Sequence, residues 1–147
     1  MSALRSILEG KKDQSIHYVG PDATVLEAVD KMCRSHVGAL LVEEDEQPIG
    51  IVSERDIMTR LVLQRRDPAT TRVSEIMTHD VLCIDPDHEP AEVMALMTER
   101  RVRHLPVVEG RSIIGIVSIG DLVRWASHNT EFEVRILRDY VCGMYPG

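Results

Sequence analysis

The sequence is poor in aromatic residues and in long hydrophobic runs, and each shortage excludes a class of protein. Aromatic residues make up only 3% of the 147 residues, so the core must be aliphatic and a base-stacking platform is not expected. The formal net charge of −7 also argues against nucleic acid as a partner, because nucleic acid selects a basic face. No apolar run approaches the ~20 residues of a membrane span, and no signal-peptide segment is recognisable. We therefore expect a cytoplasmic protein with no nucleic-acid or membrane partner.

The cysteines and histidines are few and scattered. Cys33, Cys83 and Cys142 are odd in number and have no CxxC spacing, which indicates reduced cytosolic thiols rather than a disulfide framework. The histidines show no metal-ligand spacing, so no metal site is predicted. No nucleophile–base pair or P-loop is present either, so we expect no catalytic residues, no catalytic cofactor and no enzyme.

An internal repeat dominates what the sequence does contain. Of the 42 residues in 16–57, 14 recur unchanged and without a gap 65 positions later, in 81–122. The longest shared block runs from Ile49 to Ser53 and from Ile114 to Ser118, and Asp56 and Asp121 follow three residues later. A repeat of this length is one supersecondary unit that buries its apolar face against its twin. A functional site is expected in the cleft between the two copies.

Both copies predict the same order of elements, β-α-β-β-α. In copy one, a strand at 16–19 precedes a helix that opens on a capping box formed by Thr24 and Glu27 and carries a stripe of Leu26, Val29, Met32 and Cys33. Copy two begins the equivalent helix with Pro90. Two nearly continuous apolar runs then predict strands buried on both faces, and a second helix starts at each motif serine. The predicted fold class is therefore α/β (α+β), with the two repeats packed as a pseudo-twofold pair.

The repeated Gly-Ile-Val-Ser-x-x-Asp block has two interpretations. Ser53 with Asp56, and Ser118 with Asp121, fit the [ST]-x-x-[DE] capping box, which is a purely structural role. Alternatively, a strand delivers a hydroxyl and a carboxylate to a helix N-terminus, where free amides favour an anion. A carboxylate in that place can accept hydrogen bonds from the two vicinal hydroxyls of a ribose. The residues alone leave both interpretations open.

With the segments upstream of each block, 37–42 and 102–108, the pattern resembles a tandem pair of CBS domains, the cystathionine β-synthase repeats also called a Bateman module. The resemblance covers about residues 8–127. It implies that an adenosine-containing ligand (AMP, ADP, ATP, NAD(H) or S-adenosylmethionine) binds between the repeats. It further implies that Asp56 and Asp121 hold ribose hydroxyls, and that Ser53 and Ser118 lie at the phosphate.

The resemblance also makes the two sites unequal. Arg103 and His104 of copy two resemble a phosphate-binding basic pair, with Arg101 nearby, whereas copy one has Gly38 and Ala39 at the same positions. The same basic cluster could instead be the solvated end of a helix, where cations complement the C-terminal dipole. Four further residues complete the predicted ligand site. Arg55 is a substitute phosphate partner in copy one, and Tyr18, Val19 and Cys83 lie near the base.

Two functions are compatible with the sequence. In the first, the protein is a regulatory module that senses an adenine nucleotide and modulates an unidentified partner enzyme or transporter. In the second, it is a ligand-independent dimerisation or scaffold module in which both aspartates are only helix caps. A homodimer is expected in either case, through the second helices with Ile57, Leu61, Leu122 and Val123. The predicted domains are CBS domain 1 at 8–66, CBS domain 2 at 73–127 and a C-terminal helical extension at 128–147.

Overall fold

The computed structural model describes residues 2–11, 15–127 and 138. Its elements are α1 (Ala3–Glu9), β1 (Tyr18–Val19), α2 (Val25–Ser35), β2 (Ala39–Glu44), β3 (Gln47–Ser53), α3 (Glu54–Ile57), α4 (Pro90–Arg100), β4 (His104–Glu109), β5 (Ser112–Ser118) and α5 (Ile119–Ala126). A π-helical turn, Met58–Val62, continues α3, and a short 3₁₀ turn spans Val73–Glu75. The mixed α/β class with two small sheets is as predicted. The predicted C-terminal extension lies outside the described residues, except for Arg138.

The chain divides into two compact units, and the division does not follow the order of the sequence. One unit consists of residues 16–81, which contain copy one. The other contains copy two, from residue 82 onward, together with the N-terminal segment up to Ser15. Helix α1 packs against β5 and α5, and Leu4, Ile7 and Leu8 are buried in the core of that second unit. Helix α1 therefore completes the core of copy two.

In the first unit, β1 pairs in parallel with β2, and β2 pairs antiparallel with β3. The β2–β3 turn is tight because Asp45 and Glu46 both adopt positive φ, 51° and 63°, as a two-residue hairpin of this hand requires. The capping box of Thr24 and Glu27 is confirmed at the start of α2. The core is formed by ten buried side chains: Val25, Ala28, Met32, Leu40, Val42, Val52, Leu61, Val73, Ile76 and Met77.

The predicted apolar stripe of α2 was wrong in two of its four residues. The helix buries Val25, Ala28 and Met32, whereas Leu26 is 51% exposed and Cys33 is exposed. The buried face is therefore turned by about one residue from the predicted one, because the small Ala28 is used for close packing. A prediction from hydrophobicity alone favours leucine over alanine, and it therefore placed Leu26 instead of Ala28 on the buried face.

In the second unit, β4 and β5 form an antiparallel hairpin that repeats the β2–β3 hairpin closely, including a register shift after the equivalent residues Val42 and Val107. The first strand of the repeat is reduced here to a single parallel bridge between Ile84 and Val107. Helix α4 begins at Pro90, as predicted, and buries Val93, Met94 and Met97. The single tryptophan, Trp125, is partly buried against this core.

Candidate functional site

The copy-one motif forms a complete capping box at the junction of β3 and α3. The Ser53 hydroxyl accepts a hydrogen bond from the Asp56 backbone N–H, and the Ser53 backbone N–H donates to Asp56 Oδ2 at 2.9 Å. The Ser53 hydroxyl also donates to Oδ2 at 3.1 Å. On the other carboxylate oxygen, Thr78 Oγ1 donates to Oδ1 at 3.0 Å, and Arg60 Nε lies 4.0 Å away. Asp56 is thus buried and held mainly by neutral donors.

The copy-two motif forms the same box but is held by cations. The Ser118 backbone N–H donates to Asp121 Oδ2 at 2.8 Å, and the Ser118 hydroxyl accepts from the Asp121 N–H. Arg124 Nη2 lies 2.6 Å from Oδ1, and Lys11 Nζ lies 3.1 Å from Oδ2. Asp121 is only 4% exposed. The capping interpretation of both serine–aspartate pairs is therefore confirmed.

The segments before β2 and β4 lie beside the two motifs at equivalent places. Ala39 pairs in register with Ser53, and His104 pairs with Ser118. The Gly38 carbonyl accepts from the Glu54 N–H at 3.0 Å, and in the same way the Arg103 carbonyl accepts from the first N–H of α5 at 2.9 Å. The backbone is therefore the same in the two copies, and only the side chains differ. Gly38 and Ala39 in copy one, and Arg103 and His104 in copy two, therefore occupy equivalent places beside the motifs.

His104 is nevertheless not a cation at neutral pH. Burial of the imidazole is the main reason why the pKa of His104 falls to about 4; nearby Lys11 and Arg103 lower it further, and Asp121 opposes them. The neutral ring can offer one N–H and one acceptor nitrogen. A phosphate at this site would therefore meet one permanent cation, Arg103, and a neutral imidazole that can donate one N–H. The positive charge next to Asp121 comes from Lys11 and Arg124, and Arg103 adds a positive charge near His104.

The remaining predicted residues fall into two groups. Tyr18 and Val19 lie on β1, paired with Leu41 and Val42, and the equivalent Cys83 is exposed just before the Ile84 bridge. Arg55 is exposed on α3, and Arg101 is the exposed, left-handed residue that ends α4 (φ 55°). Tyr18, Val19 and Cys83 thus lie on or near strands. Arg55 lies in the first turn of α3, and Arg101 follows the last residue of α4.

Sequence reasoning missed Lys11, Thr78 and Arg60. Thr78 and Lys11 occupy corresponding roles, since each comes from a segment outside the hairpin and reaches the motif carboxylate. Arg60 also donates to the carbonyls of Ile76 and Met77, at 3.2 and 2.9 Å, and so fixes the segment that carries Thr78. The apolar residues of α1 predict a helix, but no pattern in the sequence says which copy this helix packs against, so Lys11 could not be assigned.

Other kinds of site find no support in the part of the chain that the structure describes. Within residues 2–11, 15–127 and 138, no three His, Cys, Asp or Glu side chains are grouped so that they could hold a metal ion. In the same residues no helix is long and apolar enough to cross a membrane.

Comparison with known proteins assigns the family. The family model of the CBS domain matches residues 13–63 and again 73–128, so the chain belongs to the CBS domain family and contains a tandem pair. The CBS domain-containing protein CBSX3, mitochondrial, of Arabidopsis thaliana is 38% identical over 129 residues, which are 84% of this chain and 63% of that protein. The chain thus spans somewhat less than two thirds of the length of this relative.

Solved structures agree with the fold. A protein with CBS domains from Burkholderia ambifaria MC40-6, assigned to signal transduction, is 42% identical with a TM-score of 0.82, covering 88% of this chain and 96% of that one. The CBS domain pair of protein MJ0100, in complex with 5′-methylthioadenosine and S-adenosyl-L-methionine, has a TM-score of 0.68 over 79% of this chain and 91% of that one. Its identity is 21%, so it supports the fold alone. The protein is therefore a CBS-domain pair, which is a regulatory module.

Proposed function

We propose that the protein binds an adenosine-containing ligand (AMP, ADP, ATP, NAD(H) or S-adenosylmethionine) and uses its binding to modulate a partner enzyme or transporter. The observation that carries the proposal is the pair of motif carboxylates, Asp56 and Asp121, each held at the junction of a strand and a helix. A carboxylate fixed in this way is pre-organised to accept the two vicinal hydroxyls of a ribose without a further cost for its own ordering. That a CBS pair of the same fold binds two adenosine derivatives supports the same class of ligand.

The charges favour different ligands at the two sites. Three cations, Lys11, Arg103 and Arg124, belong to the surroundings of Asp121 and His104. Asp56 has Arg60 at 4.0 Å and the neutral Thr78. We therefore assign the phosphorylated ligand to the Asp121 site, because an excess of positive charge attracts an anion. The Asp56 site is better suited to a ligand without a phosphate.

Binding is tested by calorimetric titration and thermal unfolding with AMP, ATP, NADH and S-adenosylmethionine. A ligand at ~100 times its Kd should stabilise the wild type by about 2.7 kcal/mol, which is a rise of several degrees in Tm. Asp121→Asn keeps the size of the cap but removes its charge, and it should abolish the response to AMP and ATP. Asp30→Asn is the matched control, since Asp30 is exposed on α2 and pairs there with Arg34. Equal responses of all three proteins would refute ribose recognition at Asp121.

A ligand-independent scaffold is the second candidate, and a specific observation favours it. The capping boxes alone account for both motif aspartates, and Met58, Val62 and Leu63 expose apolar side chains at 60%, 62% and 73%. Such a group is typical of a surface that another protein covers. The predicted dimer contact has to be corrected, because Leu61 and Leu122 are buried in their own cores at 3% and 0% exposure. A protein that binds no adenosine derivative but forms a dimer would support the scaffold.

A further inference from the structure

The side chain of Lys11 links the N-terminal segment to the copy-two motif. Its Nζ donates to the Ile116 carbonyl at 2.8 Å and lies 3.1 Å from Asp121 Oδ2. Its side chain is 27% exposed, and the segment that carries it is anchored by the buried Leu4, Ile7 and Leu8. This ammonium group is therefore held beside the motif carboxylate by the packing of its segment, by one hydrogen bond and by an ion pair.

Both carboxylate oxygens of Asp121 already have partners. Oδ2 accepts from the Ser118 N–H and forms an ion pair with Lys11 at 3.1 Å, whereas Oδ1 accepts from Arg124. Two vicinal hydroxyls of a ribose would add one donor to each oxygen. Oδ1 can accept this donor beside Arg124, because a carboxylate oxygen accepts about two hydrogen bonds. At Oδ2 the hydroxyl would have to approach an oxygen that the Lys11 ammonium already contacts.

Of the two groups that contact Oδ2, Lys11 is the one that can leave. The Ser118 N–H belongs to the backbone at the start of α5, and its position is fixed by the pairing of Ser118 with His104. Lys11 has a flexible side chain and can regain water when it is released. From this we infer that Lys11 competes with the ribose for Asp121, so that the ligand binds copy two by releasing Lys11 from the carboxylate. The inference rests on the proposed function.

Copy one presents a different set of donors to its carboxylate. There Oδ2 of Asp56 accepts from the backbone and the hydroxyl of the neighbouring Ser53, and the hydroxyl can rotate away without moving another segment. Ligand binding at copy two is therefore coupled to the N-terminal segment. By linkage, if the ligand raises the affinity of a partner for the released segment by some factor, that partner raises the affinity of the protein for the ligand by the same factor. This coupling identifies residues 2–11 as the part of the chain through which occupancy of the Asp121 site is communicated.

The test is a calorimetric titration of the full chain with adenosine, which has the ribose but no phosphate for Lys11 to attract. It is done with Asp56→Asn in every protein, so that the site better suited to a ligand without a phosphate does not contribute to the signal. Lys11→Met should bind adenosine about tenfold more tightly than the protein that keeps Lys11, the order expected for removing one competing charged contact. Lys11→Arg keeps a competing cation and should remain close to the wild type. Lys31→Met is the matched control, because Lys31 belongs to copy one and donates to the Tyr18 carbonyl. Trp125 fluorescence shows whether each variant is folded.

A second measurement follows the segment directly. In the wild type, saturating adenosine should speed hydrogen exchange of the Gly10 and Lys11 amides, which bond to Ser6 and Leu8, and it should leave the Lys11→Met protein unchanged. Equal adenosine affinity of the wild type and Lys11→Met would overturn the inference and leave the proposed function intact. Weaker binding by Lys11→Met would also overturn it, since Lys11 would then be a ligand contact. No binding of adenosine, AMP, ATP, NADH or S-adenosylmethionine to either protein would refute the proposed function itself.

Discussion

The neutral state of the partly buried His104 predicts that acid destabilises the second unit through protonation of this imidazole. In the folded protein the pKa of His104 is about 4, chiefly because burial disfavours the charged ring, whereas an unfolded chain restores a value near 6.5. Between these two values the unfolded state binds a proton that the folded state does not. Stability is therefore expected to rise with pH through this window and to fall as the pH drops from 6.5 toward 4.

The size of the effect follows from the two pKa values. At about pH 5 the unfolded histidine is almost fully protonated and the folded one is almost fully neutral, which costs about 2 kcal/mol relative to about pH 7.5. In His104→Gln this contribution disappears, because glutamine keeps a polar side chain of similar size but does not titrate. The difference in unfolding free energy between wild type and variant should thus change by about 2 kcal/mol over this range.

Urea unfolding at the two pH values, followed by the fluorescence of Trp125, measures this difference in the correct unit, since Trp125 packs on the core to which the strand of His104 contributes. Carboxylates and the other histidines titrate in both proteins and cancel in the comparison. His79→Gln is the control, because His79 is exposed in the other unit. If wild type and His104→Gln lose the same free energy between about pH 7.5 and about pH 5, the imidazole is not held neutral. His104 could then carry a positive charge next to a phosphate.

Further predictions concern packing and assembly. Gly50→Ala should cost the first unit about 3 kcal/mol in urea unfolding, because the new Cβ would lie 2.6 Å from the Thr78 carbonyl oxygen and would break the bridge between Ile51 and Thr78. Gly115→Ala, its equivalent in copy two, should cost only about 1 kcal/mol, since the new Cβ meets the movable end of a leucine, Leu8, at 2.8 Å. Equal losses would contradict this distinction. Val62→Glu should convert a dimer to a monomer in sedimentation experiments without lowering Tm, and an unchanged dimer would exclude the exposed π-helical turn as the interface.

Most of the fold could be predicted because the sequence pattern of the repeated elements occurs twice, once in each copy. The two hairpins, the capping box at Thr24 and the proline that opens α4 all depend on local signals, namely apolar runs, a hydroxyl three residues before a glutamate, and a missing N–H. The motif capping boxes depend on equally local signals. Where the prediction failed, at Leu26 and Cys33, the outcome was decided by packing against neighbouring strands, which periodicity does not encode.

The candidate site was predictable only as far as its local part. Ser53 with Asp56 and Ser118 with Asp121 are near neighbours in sequence, and the register of the hairpins brings Ala39 and His104 beside them. Lys11 lies 105 residues from Ile116, to which it donates, and no sequence pattern spans this distance. The charge state of His104 was equally out of reach, because it depends on burial and on Lys11 and Arg103 together.

The two copies therefore differ less in the motif itself than in the outside residue that contacts the motif aspartate. Each motif aspartate is held by a residue from a segment outside its own hairpin: Thr78 for Asp56 and Lys11 for Asp121. A threonine hydroxyl can exchange one acceptor for another at little cost, whereas a partly buried ammonium must lose a charged partner. If the proposed ribose recognition holds, a ligand should therefore meet less competition at Asp56 than at Asp121.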